Sequence, residues 1–179
     1  MGARSNIKIT EPEDVELLSK FLTRSGTGFD LHKYEAGDGI ILGGYKIKCD
    51  YKIVAHSDGD VLVHSIIDSI LGASSNGDIG KHFPSSDEKW KNFSSLKMLS
   101  FIYNDLIKRD FKIEHIDAVI ILQEPNLSRF IEKMKSNILE NLNNEKCTVS
   151  VKATTTDYLG FIGEGKGIAC QAIATLSKK

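Results

Sequence analysis

The sequence predicts an α+β fold: one domain with a mixed β-sheet and helices packed on one face. Three observations point there. Short apolar runs of strand character alternate with longer segments whose apolar residues recur at helical spacing. Gly43-Gly44, set between Gly39-Ile40-Ile41-Leu42 and Tyr45-Lys46-Ile47, signals a tight hairpin, because both glycines can take positive φ. The 179 residues, 41% hydrophobic and 26% charged, suffice for one core, and no linker or internal repeat divides them.

In chain order, residues 1–25 come first as an N-terminal extension of helical pattern. Thr10-Glu11-Pro12-Glu13 reads as a capping box with proline in the first turn, and Val15, Leu18 and Leu22 follow at helical spacing with Phe21 beside them. Glu11, Glu13, Asp14 and Glu16 argue against a transit peptide, which would be poor in acids. A docked helix, a remnant of a longer precursor and a cloning remnant all stay open. The main domain, residues 26–179, begins with a strand over Gly26–His32, followed by the hairpin. A helix then runs from about Ser57 to Leu71, with Gly72 as its left-handed stop. Gly77 to Pro84 is a glycine-rich loop of the kind that brings backbone amides close to phosphate or sugar oxygens; an ordinary turn is the plainer reading. Ser94 opens a second helix with an apolar stripe of Leu99, Ile102, Tyr103 and Leu106. Ile113–Gln123 reads as a strand buried on both faces, since Ala118 to Leu122 is continuously apolar. A third helix spans about Leu127–Leu142, and Cys147–Ala153 and Ile168–Leu176 read as the last strands.

Composition narrows the function. With a net charge of −1, no broad field favours nucleic acid or an anionic membrane, so an anionic substrate must be held by local devices. Cys49, Cys147 and Cys170 form neither a zinc-finger spacing nor a disulfide framework, which suits a reducing compartment. The apolar run Ala118–Leu122 is too short to span a bilayer, and Asn6 stands where a myristoylation signal wants Ser or Thr. A soluble intracellular protein is expected.

The chemistry concentrates in His56-Ser57-Asp58-Gly59-Asp60-Val61-Leu62-Val63-His64. Ser57 and Asp58 suit a helix N-terminus, and on such a helix His64 lies one turn past Asp60 and one turn before Asp68, in reach of both carboxylates. Asp30 and His32, two apart on a strand, point to the same side. A carboxylate and an imidazole from a strand plus an imidazole from a helix make a zinc-type set with one open position. The bland reading is that each histidine is a capped or core-edge residue.

Several motifs then occur in one order: Gly28-Phe29-Asp30-Leu31-His32, Ala55-His56-Ser57-Asp58-Gly59-Asp60-Val61, Gly77-Asp78-Ile79-Gly80-Lys81-His82-Phe83-Pro84, Lys152 through Phe161, and Gly167-Ile168-Ala169-Cys170. Together they resemble the 2-C-methyl-D-erythritol 2,4-cyclodiphosphate synthase family over about residues 26–177. The resemblance implies a homotrimer with active sites between subunits and a cytidine diphosphate substrate, 4-diphosphocytidyl-2-C-methyl-D-erythritol 2-phosphate. Its 2-phosphate attacks the β-phosphorus, expels CMP and closes a cyclic diphosphate; the location implied is bacterial cytoplasm or plastid stroma. The resemblance places Zn²⁺, one per subunit, on Asp30, His32 and His64, with Leu31 among the substrate contacts. His56 and Thr155 match catalytic positions that stabilise the transition state, and Ser57 matches a substrate contact. Asp60 is either second to the ligands, orienting His64 or a substrate hydroxyl, or an exposed first-turn acid. Asp78, Ile79 and Gly80, continuing through Phe83, Pro84, Ser85, Ser86 and Asp87, match the erythritol side of the pocket. Leu122, Gln123, Glu124, Pro125, Asn126, Leu127 and Ser128 match the cytosine wall; Ala153, Thr154, Thr155, Thr156 and Asp157, with Phe161, match the rest of the nucleotide site.

Two departures stand out. Asp157 occupies a position where the family commonly has Glu, which helps hold Mg²⁺ or Mn²⁺ on the diphosphate; the shorter side chain reaches about one methylene less. Gly163-Glu164-Gly165-Lys166-Gly167 replaces Gly-Arg-Gly-Glu-Gly, so a charge pair survives only with reversed polarity. Two rival functions use the same residues: a zinc-dependent phosphohydrolase, and a non-catalytic trimeric ligand-binding protein with structural zinc.

Overall fold

The computed structural model describes residues 9–19, 22–144 and 146–179. Its elements are α1 (Pro12–Ser19), β1 (Thr23–Ala36), β2 (Ile40–Leu42), β3 (Tyr45–Ile47), β4 (Tyr51–Ile53), α2 (Val61–Ser74), α3 (Ile79–His82), α4 (Ser95–Ile102), β5 (Phe111–Ile121), α5 (Ile131–Leu142), β6 (Thr148–Thr154), α6 (Gly160–Gly163) and β7 (Gly167–Lys178). Five strands form one mixed sheet in the order β4-β1-β7-β5-β6, antiparallel except for the β5–β6 pair, while β2 and β3 form a separate hairpin. The expected α+β domain with a mixed sheet is what the chain forms.

The side chains of β7 show how the sheet is used. Ile168, Cys170, Ala172, Ala174 and Leu176 are buried under the helices, whereas Gln171 and Ile173 face out and are exposed. Alternation of this kind marks a sheet covered on one side. β5 follows it: Ala118 and Ile120 are buried, Val119 and Ile121 only half-buried. The two-sided burial expected for Ile113–Gln123 is therefore corrected, because in the single chain helices cover one face only. The core joins that inner face to α2, α4 and α5 through Leu62, Ile66, Leu99, Met134 and Ile138, all buried.

Where α2 meets β1 the contact is backbone against backbone. A Cβ at Gly28 would stand 1.9 Å from the Ser65 carbonyl oxygen, and one at Gly26 would stand 2.3 Å from that of Ser69. These glycines let α2 settle directly on β1, which brings His64 beside Asp30.

Helix ends depart most from expectation. α2 starts four residues later than read, at Val61, with Asp60 as its N-cap. It runs past Gly72 to Ser74, and Ser75 takes the left-handed stop at φ 61°. Gly72 stays helical and lies against Gly26. The presumed loop 77–84 contains α3, capped by Asp78. β4 was not foreseen. β1 begins at Thr23, inside the segment read as extension. Within that segment the carboxylate of Asp14, not of Glu13, reaches back to the N–H groups of Thr10 and Glu11. Val15, Leu18 and Leu22 are exposed; Phe21 lies outside the described residues.

Asp60 is fully buried and accepts from the amides of Gly43 (3.0 Å), Gly44 (2.7 Å) and Val63 (3.1 Å), tying the hairpin turn to the start of α2. Of its expected roles, the exposed first-turn acid is corrected. Its carboxylate bonds these amides, not the His64 ring, and it is not an exposed acid. Burial pushes its pKa up to about 6 against the amide bonds that favour the charged form. Asp60→Ala would leave two amides of the hairpin turn and one at the start of α2 without their acceptor. The expected loss is about 3–4 kcal/mol, read as a lower urea midpoint at unchanged slope.

Candidate active site

The elements converge on three donor atoms. Asp30 and His32 project from the inner face of β1, and His64 projects from the first turn of α2. Asp30 Oδ2 lies 2.9 Å from His64 Nδ1 and 3.2 Å from His32 Nε2, and one ligand atom from each residue fits within 4.8 Å of the others. Burial would raise the Asp30 pKa, but hydrogen bonds to His32 and His64 and their charge hold it well below the usual carboxylate range. Burial would lower the His64 pKa; the Asp30 hydrogen bond and the charges of Asp30, Asp60 and Asp58 outweigh that and raise it. One carboxylate and two imidazoles, with no cysteine among them, match an open three-ligand metal set rather than a closed structural one. The triad is a potential metal site, as the sequence indicated.

The far side of His64 is less expected. Its Nε2 lies 2.8 Å from Ser95 Oγ and 3.2 Å from Ser57 Oγ, while Asp58 Oδ1 is 4.0 Å away. Asp58 caps α4 instead of α2: its Oδ2 accepts from the Ser95 amide at 2.8 Å and its Oδ1 accepts from the Ser95 hydroxyl. Asp68 accepts from the Ile79 amide at 2.7 Å and forms no hydrogen bond with the His64 ring among the described residues.

A cavity of about 240 Å³ opens over the triad. Asp30, His32, His56, Ser57, His64, Ile79, Gly80, Phe83 and Ser85 line it as expected, joined by Ala55, Trp90 and Met98, which the sequence did not single out. His56 Nε2 and Trp90 Nε1 are buried without a hydrogen-bond partner among the described residues. Pro84, Ser86 and Asp87 lie outside this lining, and Asp87 caps the turn Glu88–Trp90. Asp78 spends Oδ1 on the Lys81 amide.

A second cavity, about 480 Å³, lies where β5 and β6 end. Leu122, Gln123, Glu124, Pro125, Asn126, Leu127, Ser128, Ala153, Thr154 and Thr155 line it with Tyr158, the one lining residue that was not anticipated. Thr156, Asp157 and Phe161 are outside the lining; Asp157 is exposed at φ 50°, its Oδ1 3.3 Å from Thr155 Oγ1. The Leu31 side chain points to the outer sheet face, and Leu31 N–H donates to Asp30 Oδ1 at 2.8 Å. Glu164 and Lys166 form an exposed ion pair. All three cysteines are free, and burial pushes Cys147 up to about 11 and Cys170 up to about 12, so neither is a ready thiolate.

A family model for the YgbB family matches residues 23–177. The 2-C-methyl-D-erythritol 2,4-cyclodiphosphate synthase of Alkaliphilus oremlandii is 46% identical over 155 residues, covering 87% of this chain and 99% of that one. The enzyme of the same name from Clostridium kluyveri is 48% identical over 153 residues, covering 86% and 93%. Among solved structures, the bifunctional IspDF from Campylobacter jejuni is similar with a TM-score of 0.83 at 39% identity, covering 88% of this chain and 43% of that one. The CDP complex of IspF from Plasmodium falciparum is similar with a TM-score of 0.76 at 37% identity, covering 88% and 97%. No described helix is long and apolar enough to cross a membrane.

Proposed function

The chain belongs to the YgbB family, and from that premise we propose that it is a 2-C-methyl-D-erythritol 2,4-cyclodiphosphate synthase of the non-mevalonate isoprenoid precursor pathway. The observation that carries this reading is the convergence of Asp30, His32 and His64 under a cavity whose wall holds the unpartnered His56 Nε2. The reaction forms a bond from a 2-phosphate oxygen to the β-phosphorus of 4-diphosphocytidyl-2-C-methyl-D-erythritol 2-phosphate. It breaks the bond from that phosphorus to the bridging oxygen, which leaves with CMP. Two anionic groups must meet, so alignment and charge neutralisation dominate.

Asp30, His32 and His64 would hold one Zn²⁺ per subunit, which supplies Lewis acidity and a template for phosphate oxygens. His56 Nε2, already desolvated, hydrogen-bonds the reacting phosphate, with Ser57 beside it. Asp78 keeps Oδ2 for an erythritol hydroxyl, and Ile79, Gly80, Phe83 and Ser85 exclude water around that part. Residues 122–128 and Ala153–Thr155 take the cytidine, with Thr155 at the diphosphate. Asp157 would hold Mg²⁺ or Mn²⁺ together with the substrate phosphates, as these ions commonly use one carboxylate plus phosphate oxygens. The bacterial cytoplasm, or the plastid stroma in a plastid-bearing source, would supply this substrate.

Phosphorus NMR of the products tests the reading: CMP together with a cyclic diphosphate is expected. An open-chain erythritol phosphate would favour the zinc-dependent phosphohydrolase, which keeps the ligands and replaces the internal phosphate by water.

The assembly belongs to the same proposal. β7 and β5 lie between β1, which carries the metal set, and β6, which borders the larger cavity, a gap of about 14 Å at ordinary strand spacing. The outer sheet face exposes Phe29 (59%), Leu31 (43%) and Ile173 (43%), an apolar surface suited to a second copy. A homotrimer built on this face would bring one chain's metal set against the neighbour's nucleotide cavity. Ile173→Glu is expected to convert trimer to monomer by sedimentation and to abolish turnover while zinc content stays normal. A fully active monomer would refute shared sites.

A further inference from the structure

We infer that Ser95, gripped by Asp58, is a positioning residue that fixes the proton of His64 on Nε2 and so turns its Nδ1 lone pair toward the metal. This rests on the reading of Asp30, His32 and His64 as a metal set. His64 Nδ1 is the nitrogen on the Asp30 side, 2.9 Å from Oδ2, where His32 Nε2 also converges. A neutral imidazole that offers Nδ1 to a cation must carry its proton on Nε2. That nitrogen faces Ser95 Oγ at 2.8 Å.

A serine hydroxyl has one proton to give, and here it goes to Asp58 Oδ1. The carboxylate is an acceptor only, so the Ser95 oxygen is left with lone pairs toward the imidazole and can only accept from Nε2–H. Asp58 cannot swing aside to release the hydroxyl, because its other oxygen holds the Ser95 amide at 2.8 Å. Capping α4 needs only that amide bond. The hydroxyl bond is additional, and among the described residues the only other hydrogen-bond partner of that hydroxyl is the His64 ring. Ser95 is fully buried, so water does not compete for the position. Ser57 Oγ also lies near Nε2 at 3.2 Å, but it is half-buried, lines the cavity and is contacted by the Gly59 amide at 3.3 Å. It is the weaker acceptor by distance and by anchoring.

Partners that fix a ligand histidine in this way commonly change metal affinity about 10–100-fold when removed. The test is competition with a chromophoric chelator for Zn²⁺ on the full chain, comparing wild type, Ser95→Ala, Ser95→Thr and Ser57→Ala. Ser95→Ala keeps the amide bond to Asp58, so the start of α4 stays capped. It is expected to weaken zinc binding at least about 10-fold, Ser95→Thr to restore most of that loss, and Ser57→Ala to change little. Nitrogen-15 NMR of the zinc-loaded wild type supplies a second readout that needs no variant: His64 should carry a slowly exchanging proton on Nε2. Ligation through Nε2, or unchanged affinity in Ser95→Ala beside a zinc-binding wild type, would overturn the relay alone. A wild type that takes up no zinc would overturn the metal set itself.

Discussion

Alanine at position 28 is expected to lower stability by about 3 kcal/mol or more and to remove metal binding with it. The added Cβ would lie 1.9 Å from the Ser65 carbonyl oxygen and 2.8 Å from the Ser69 amide nitrogen. Both are backbone atoms of a helix that is buried along almost its whole length, so no side-chain rotation relieves the clash. α2 must back away from β1, and every apolar contact between them loosens. The metal set suffers directly: Asp30 is two residues beyond Gly28 on β1, His64 immediately precedes Ser65 on α2, and their 2.9 Å contact spans the gap that opens. Urea unfolding and zinc stoichiometry of Gly28→Ala measure both effects. Gly72→Ala is the control. A Cβ there meets nothing nearer than 3.8 Å, so exchanging a helical glycine for alanine is expected to gain about 0.5–1 kcal/mol. Equal stability of Gly28→Ala and wild type would show that the backbone contact is not tight.

Glycines also mark how far local sequence rules reach. Gly43-Gly44 is legible because its requirement is local: the turn needs φ of 55° and 67°, and the flanking apolar runs supply the strands. Gly72 looks equally local, yet its role is set by Gly26 on a strand 46 residues earlier, and the left-handed stop falls to Ser75. The same limit governs the acids. Asp30 and His32 share a face because strands alternate, which spacing alone reveals. Ser57 and Asp58 look like caps for the helix that carries His64, but Asp58 caps α4 from 37 residues away, and the cap of α2 is Asp60, which serves the hairpin as well. Ser95 gave no signal at all, since a serine in the first turn of a helix needs no partner to be explained. Residue types announced the metal set; which atoms orient it depends on tertiary contacts that no motif encodes.

Removing either imidazole is expected to stop the chemistry without unfolding the chain. His32→Ala and His64→Ala should each lower kcat/KM at least about 1000-fold, the equivalent of roughly 4 kcal/mol of lost charge stabilisation at the phosphates. Metal analysis should show zinc absent or substoichiometric in both, with circular dichroism unchanged. His56→Ala should keep full zinc and lose activity, since His56 lines the cavity without belonging to the triad. A pH dependence follows from His64. Burial works to lower its pKa, but the hydrogen bond and charge of Asp30 prevail, and the value stands above the ordinary 6.5. Proton and cation compete for the same lone pair, so a raised pKa makes the proton the stronger competitor. Zinc affinity should therefore hold at high pH and begin to fall on acidification above pH 6.5, earlier than for an unperturbed histidine ligand. Chelator competition between pH 5 and 9 measures it. Affinity that stays level until well below 6.5 would show that the Asp30 contact does not raise the His64 proton affinity, and full activity in His64→Ala would remove the metal set from the reaction.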